Sequence, residues 1–130
     1  MTDVPKQLLY TPQHEWVRRE KDGTVVVGIT DHAQQQLGEL VYVELPDEGR
    51  SFKSGDGMAV VESTKAASDV YAPLAGAVLE ANPALTAQPE LVNTDPYGAG
   101  WLVRLQLADQ GQLTALLDAA AYTALLDAKH

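Results

Sequence analysis

A single lysine has the clearest chemical potential in this sequence, because only three residues join the two strands predicted on either side of it. Residues 58–63 and 67–72 have extended patterns, and Thr64-Lys65-Ala66 connects them. Lys65 is therefore predicted to lie at the tip of a β-hairpin. A lone tip lysine is ordinarily a solvated charge, but an exposed primary amine is also what enzymatic acylation requires. Acylation would remove the charge and extend the side chain into a flexible arm.

Other residue types that could do chemistry form no supporting pattern. His14-Glu15 lacks the second histidine of a metalloprotease helix, and the three histidines of the chain have no metal-ligand spacing. Ser63 and Ser68 have no recognisable His-Asp partners. We therefore predict no metal site and no independent catalytic activity.

The elements that position Lys65 are predicted to be mainly β. Short β-branched runs punctuated by Gly, Pro and Asp recur from residue 16 to residue 107, as in an all-β sandwich or barrel. Residues 16–19 and 24–29 flank Lys21-Asp22-Gly23, and its Asp-Gly pair favours a tight hairpin turn. Further strands are predicted over residues 40–45 and 77–81.

Helices are the minority element. Thr30 is expected to cap a short helix over residues 31–37, and Gly38 to end it in a left-handed cap. Residues 83–100 predict an irregular surface connection, followed by a final strand over 101–105. The leucines at 113, 116 and 117 suggest a further helical turn, and Asp118 is expected to cap a C-terminal helix to about residue 128. Trp16 and Trp101 are predicted to pack in the core or at its rim.

Length and charge limit the classes of function. The 130 residues fit one domain spanning 1–130. Nine basic against eighteen acidic residues give a net charge of −9, which argues against nucleic acid or an anionic membrane as a partner and favours basic surfaces on other proteins. The chain has no cysteine, no apolar run of membrane-spanning length and no leader pattern in residues 1–9. We expect a cytoplasmic monomer, or a mature mitochondrial matrix protein.

Several blocks of sequence resemble one known family, the glycine cleavage H proteins. The blocks are ESTKAASDVYAP at 62–73, HEWV at 14–17, GITDHAQ at 28–34, LGELVYVELP at 37–46, NTDPYGAGW at 93–101 and the segment around Tyr122. They follow the family's order and extend from about Tyr10 to Leu126, which is nearly the whole chain. A resemblance of this extent is far more specific than a lysine motif alone.

This resemblance implies a non-enzymatic carrier and a flattened barrel-sandwich hybrid of two antiparallel sheets, with a short internal helix and a C-terminal helix. It implies one lipoic acid, amide-linked to Lys65 by a lipoate ligase or a lipoyl/octanoyl transferase. The arm would carry an aminomethyl group from glycine decarboxylase to aminomethyltransferase, and dihydrolipoyl dehydrogenase would reoxidise it. The alternatives are an H-like lipoyl relay protein and a lipoyl or biotinyl domain of another carrier system. Thr64 and Ala66 replace the methionines that flank a biotinylated lysine, which disfavours a biotinyl domain.

The resemblance also implies a cleft for the loaded arm. Glu15 and Asp69 match positions that hold it, and carboxylates are suited to a cationic amine. His32, near a predicted helix start, is expected to line the same cleft. Burial there would exclude water from a labile group.

Overall fold

The computed structural model describes residues 4–128, which form two antiparallel sheets and several short helices. The strands are β1 (Leu9–Tyr10), β2 (Glu15–Arg19), β3 (Thr24–Ile29), β4 (Leu40–Glu44), β5 (Ser51–Phe52), β6 (Gly57–Ser63), β7 (Ala67–Tyr71), β8 (Gly76–Ala81) and β9 (Val103–Leu107). The helices are α1 (Asp31–Leu37), α2 (Ala84–Ala87), α3 (Leu91–Thr94), a 3-10 helix (Gln110–Ala115) and α4 (Ala119–Ala128). The predicted mainly β fold with a C-terminal helix is confirmed.

The two sheets share one core. The larger sheet has the order β1-β2-β3-β9-β8-β5 and the smaller has the order β4-β6-β7. Side chains from both sheets meet in one buried cluster, with Val27 and Leu105 from the larger sheet and Val61 and Val70 from the smaller. The arrangement is therefore a sandwich, and neither sheet closes into a barrel within residues 4–128.

Strand β3 is buried on both faces, which accounts for its continuous apolar sequence. Its inward side chains join the core, while Val26 faces a second cluster with Tyr10, Trp16 and Tyr122. Gly28 packs closely under the Trp16 ring. A Cβ at this position would be only 2.6 Å from the indole. Tyr122 belongs to helix α4, so this helix covers the outer face of the larger sheet.

Most turns were predicted correctly from local sequence signals. Gly23 has φ +87°, and Asp22 Oδ1 accepts hydrogen bonds from the Thr24 N–H and hydroxyl at 3.0 and 2.6 Å. Thr30 accepts from the Ala33 N–H at 3.2 Å, and Asp118 accepts from the Ala121 N–H at 2.8 Å, so both predicted caps are confirmed. Each of these contacts lies within three residues along the chain.

Four local predictions need correction. Residues 83–100 contain the short helices α2 and α3, which bury Leu85 and Val92. Gly38 ends α1 with φ +83° but ψ −168°, so its backbone is turned without being left-handed helical.

The final strand begins at Val103 rather than at residue 101, since the Asn82 amide takes up the Trp101 carbonyl at 2.8 Å. The turn near Leu113 is the 3-10 helix Gln110–Ala115, and Leu117 instead pairs with Tyr10 as an isolated bridge. In both places a hydrogen bond between distant residues lies at the boundary of the element.

Candidate functional site

Lys65 lies at the exposed tip of the β6–β7 hairpin, as predicted. Glu62 pairs with Ala67, and the Ser63 N–H donates to the Ala66 carbonyl at 2.8 Å across the turn. The Ser63 hydroxyl accepts from the N–H groups of Lys65 and Ala66 at 3.3 and 3.1 Å. Two paired strands and a serine therefore hold Lys65 at the end of the hairpin, where the residue is exposed to solvent.

The turn at Gly38 lies beside the lysine side chain. A Cβ on Gly38 would be 3.4 Å from Lys65 Cε and 3.9 Å from Nζ. Asn93 holds this turn by donating to the carbonyl of Gly38 at 2.8 Å and accepting from the Leu40 N–H at 2.9 Å. It also donates to the Gln34 side chain at 3.0 Å. Three of the sequence blocks that carry the family resemblance thus meet next to Lys65.

A cavity of about 500 Å³ lies near the opposite end of β7. Its walls are formed by two strand residues, Glu15 of β2 and Tyr71 of β7, by loop residues and by the end of the 3-10 helix. The full lining is Thr11, Pro12, Gln13, Glu15, Ser54, Gly55, Tyr71, Ala72, Pro73, Ala115 and Leu116. From Ala67 to Tyr71 the strand rises about 13 Å, so the cavity is within one strand length of the hairpin tip. A lysine lengthened by an acyl chain spans a comparable distance.

Glu15 is the buried acid of this cavity, with 2% of its surface exposed. Its Oε1 accepts from the Thr11 hydroxyl at 2.6 Å and its Oε2 from the Tyr71 N–H at 3.3 Å. Burial raises the pKa of Glu15 above its ordinary value, and these two hydrogen bonds partly offset that rise. The two oxygens together have further acceptor capacity, so the site is suited to a cationic amine.

Asp69 lies between the tip and the cavity rather than inside it. Ala67, Asp69 and Tyr71 alternate with Val70 along β7, so the three share one face, and all three are exposed. Asp69 is not among the residues that line the cavity, whereas Tyr71 is. The second carboxylate therefore lies on the exposed face of β7, between the hairpin tip and Tyr71.

His32 is also outside the cavity walls. Its ring packs on the ring of His14, with centroids 4.6 Å apart, and His14 Nδ1 is 2.7 Å from the Tyr122 hydroxyl. His14 has φ +72°, which turns the backbone immediately before Glu15. The structure thus brings His32 to the residue that precedes Glu15 rather than to Glu15 itself.

Comparison with known proteins decides the family. The family model described as glycine cleavage H-protein matches residues 8–129. The chain belongs to the glycine cleavage H-protein family. It is 53% identical over 127 residues to the glycine cleavage system H protein of Cronobacter sakazakii, covering 98% of each chain. It is 57% identical over 126 residues to that of Halorhodospira halophila, covering 97% of each.

A crystal structure of a glycine cleavage system H protein from Mycobacterium marinum has the same fold. The two match with a TM-score of 0.88 and 40% sequence identity over 95% of this chain and 99% of the other. H proteins are the lipoyl carriers of the glycine cleavage system and are not themselves catalytic. The described helices of this H protein include none long and apolar enough to cross a membrane.

Several residues of the H-protein cavity were missed in the sequence. Thr11 and Tyr71 hold the Glu15 carboxylate, and Gln13 and Ser54 line the walls. The spacing of Thr11 and Glu15 was the one available signal, because a hydroxyl four residues before an acid can reach it across a tight loop. The contact with Tyr71 joins positions 56 residues apart and has no local signature.

Proposed function

We propose that Lys65 is the residue on which this H protein carries its one lipoyl group, bound through an amide. The hairpin tip and the accessible amine support this assignment, because the attaching enzyme must surround the lysine. The lipoyl group supplies a dithiolane that accepts the aminomethyl group, and the protein supplies the tether and the surroundings. The enzyme that attaches the group is a lipoate ligase or a lipoyl/octanoyl transferase.

The partners that we propose are the three enzymes of the same system. Glycine decarboxylase loads the arm, aminomethyltransferase unloads it, and dihydrolipoyl dehydrogenase reoxidises it. Tethering supports such a relay because it raises the local concentration of the arm at whichever enzyme has docked. The net charge of −9 would favour docking sites that are basic. Its relatives are bacterial, and we propose a cytoplasmic location and a monomeric, single-domain carrier.

For the cleft, we propose that Glu15 receives the amine of the loaded arm in the cavity. Its burial and its remaining acceptor capacity support this role, and the cavity walls would keep bulk water from the cargo. Asp69 would attract the same cation at the mouth of the route along β7. His32 would act indirectly, by packing on His14 and so supporting the loop that presents Glu15.

The observation that carries the carrier assignment is the accessible lysine at the hairpin tip. Reconstitution tests it: the lipoylated chain and glycine decarboxylase should release labelled CO₂ from carboxyl-labelled glycine. Lys65→Arg should abolish that release, whereas Lys53→Arg, which changes another exposed lysine, should leave it intact. Equal release with both variants would show that another residue bears the group.

A further inference from the structure

The hydroxyl of Thr11 is buried against the acid of the cavity. Thr11 is 5% exposed, and its Oγ1 donates to Glu15 Oε1 at 2.6 Å. This is the shorter of the two hydrogen bonds that the carboxylate accepts, because the one from the Tyr71 N–H is 3.3 Å long. Thr11 also lines the cavity itself, so the contact is made at the site and not behind it.

The hydroxyl proton of Thr11 is directed to Glu15 by the other hydrogen bonds of the hydroxyl. Its Oγ1 accepts from the N–H groups of Gln13 and Glu15, each at 3.3 Å. A hydroxyl has one proton to donate and two lone pairs that accept, so these bonds occupy both lone pairs and direct the proton to Glu15. The backbone reinforces this arrangement, since the Thr11 N–H donates to the Glu15 carbonyl at 3.0 Å and the Thr11 carbonyl accepts from the His14 N–H at 3.1 Å.

We propose that Thr11 is a positioning residue for the loaded arm: its hydroxyl fixes the Glu15 carboxylate in one orientation and leaves acceptor capacity facing the cavity for the cationic amine. This inference rests on the proposed role of Glu15. A carboxylate with only the longer Tyr71 bond could rotate, and it would lose the charge-assisted hydrogen bond that favours its ionised form. Thr11 would then determine how long the cargo stays protected without touching the reacting atoms.

The test compares Thr11→Val, which keeps the shape and removes the hydroxyl, with Thr11→Ser, which keeps the hydroxyl. The first readout is the pH titration of the Glu15 carboxyl carbon, followed by NMR in the unmodified chain. Thr11→Val should move the midpoint upward, and Thr11→Ser should restore the wild-type midpoint. Three other residues with ionisable side chains are close enough to Glu15 to be considered in this titration. His14 precedes it in the chain, Tyr71 donates its backbone N–H to it, and Tyr122 interacts with it electrostatically. Burial raises the pKa of Tyr122 to about 12, so the Tyr122 hydroxyl stays neutral over the pH range of the titration.

The second readout is the lifetime of the loaded arm, prepared with glycine decarboxylase and glycine and followed by intact mass. Thr11→Val should shorten the lifetime about fivefold or more, because the carboxylate loses the shorter of its two hydrogen bonds and keeps only the longer one from the Tyr71 N–H. Thr11→Ser should retain it. If Thr11→Val does not fold, Thr11→Ala provides the same test without the added methyl.

A third variant separates the two claims. If Glu15→Gln shortens the lifetime while the hydroxyl-free variant matches the wild type in either readout, the role of Thr11 is overturned and that of Glu15 stands. If Glu15→Gln leaves the lifetime unchanged, the assignment of the cleft fails, and the Thr11 role fails with it.

Discussion

The buried carboxylate of Glu15 should reduce the stability of this protein as the pH rises toward neutrality. Burial raises the pKa of Glu15, so the folded chain holds its proton more tightly than the unfolded chain does. The stabilisation from that proton is fully present below the ordinary value of 4.5 and is lost as the pH rises through the folded-state pKa. In the Glu15→Gln variant the amide does not titrate, so this loss is absent.

The size of the effect follows from a single proton. Within the window between the two pKa values, wild-type stability should fall relative to Glu15→Gln by up to about 1.4 kcal/mol per pH unit. For a chain of this size, 1 kcal/mol corresponds to roughly 4 °C in Tm, so the gap should change by up to about 6 °C per pH unit there. Above the window the gap should be constant.

Thermal unfolding followed by circular dichroism from about pH 4 to 8 would measure this gap. Glu48→Gln is the matched control, because Glu48 is exposed in a loop, and its Tm should differ from the wild type by the same amount at every pH. A gap for Glu15→Gln that does not depend on pH, or that moves in favour of the wild type as pH rises, would refute the inference that Glu15 is held as a costly buried charge.

Two further variants test how the fold supports the site. Asn93→Ala should lower the free energy of unfolding in urea by about 2–3 kcal/mol, because three hydrogen bonds around the Gly38 turn lose their partner; a loss below half that size would mean that water replaces the amide. Gly28→Ala should lower the free energy of unfolding, derived from thermal melts, by about 2 kcal/mol or more, since its Cβ would collide with the Trp16 ring. Gly57→Ala is the control, because a Cβ there meets no atom within 4 Å and should be tolerated. Equal costs for the two alanines would contradict the close packing at Trp16.

The sequence predicts well those turns and caps that depend on contacts between residues close together in the chain. The Asp22-Gly23 turn and the Thr30 cap were predictable, because each depends on contacts within three residues. The Lys65 tip followed from two strand patterns with a three-residue connection. The exact start of β9 was not predictable, since the Asn82 side chain that binds the Trp101 carbonyl before it lies 19 residues away in the chain.

The cavity is a product of tertiary structure. Its walls come from segments at residues 11–15, 54–55, 71–73 and 115–116, and no periodicity in the sequence brings them together. Glu15 was recognised only through the family pattern, and the sequence did not indicate that it would be almost fully buried. Asn93 belongs to one of the sequence blocks, yet its contact with the Gly38 turn spans 55 residues and becomes visible only in the fold.

The proposed carrier function depends on modification of Lys65, and intact mass measurement is its direct test. After incubation with lipoate, ATP and a lipoate ligase, the wild-type chain and Lys53→Arg should each gain the mass of one lipoyl group. Lys65→Arg should gain none. A wild-type chain that stays unmodified, or a Lys65→Arg chain that still gains the group, would show that Lys65 is not the attachment site.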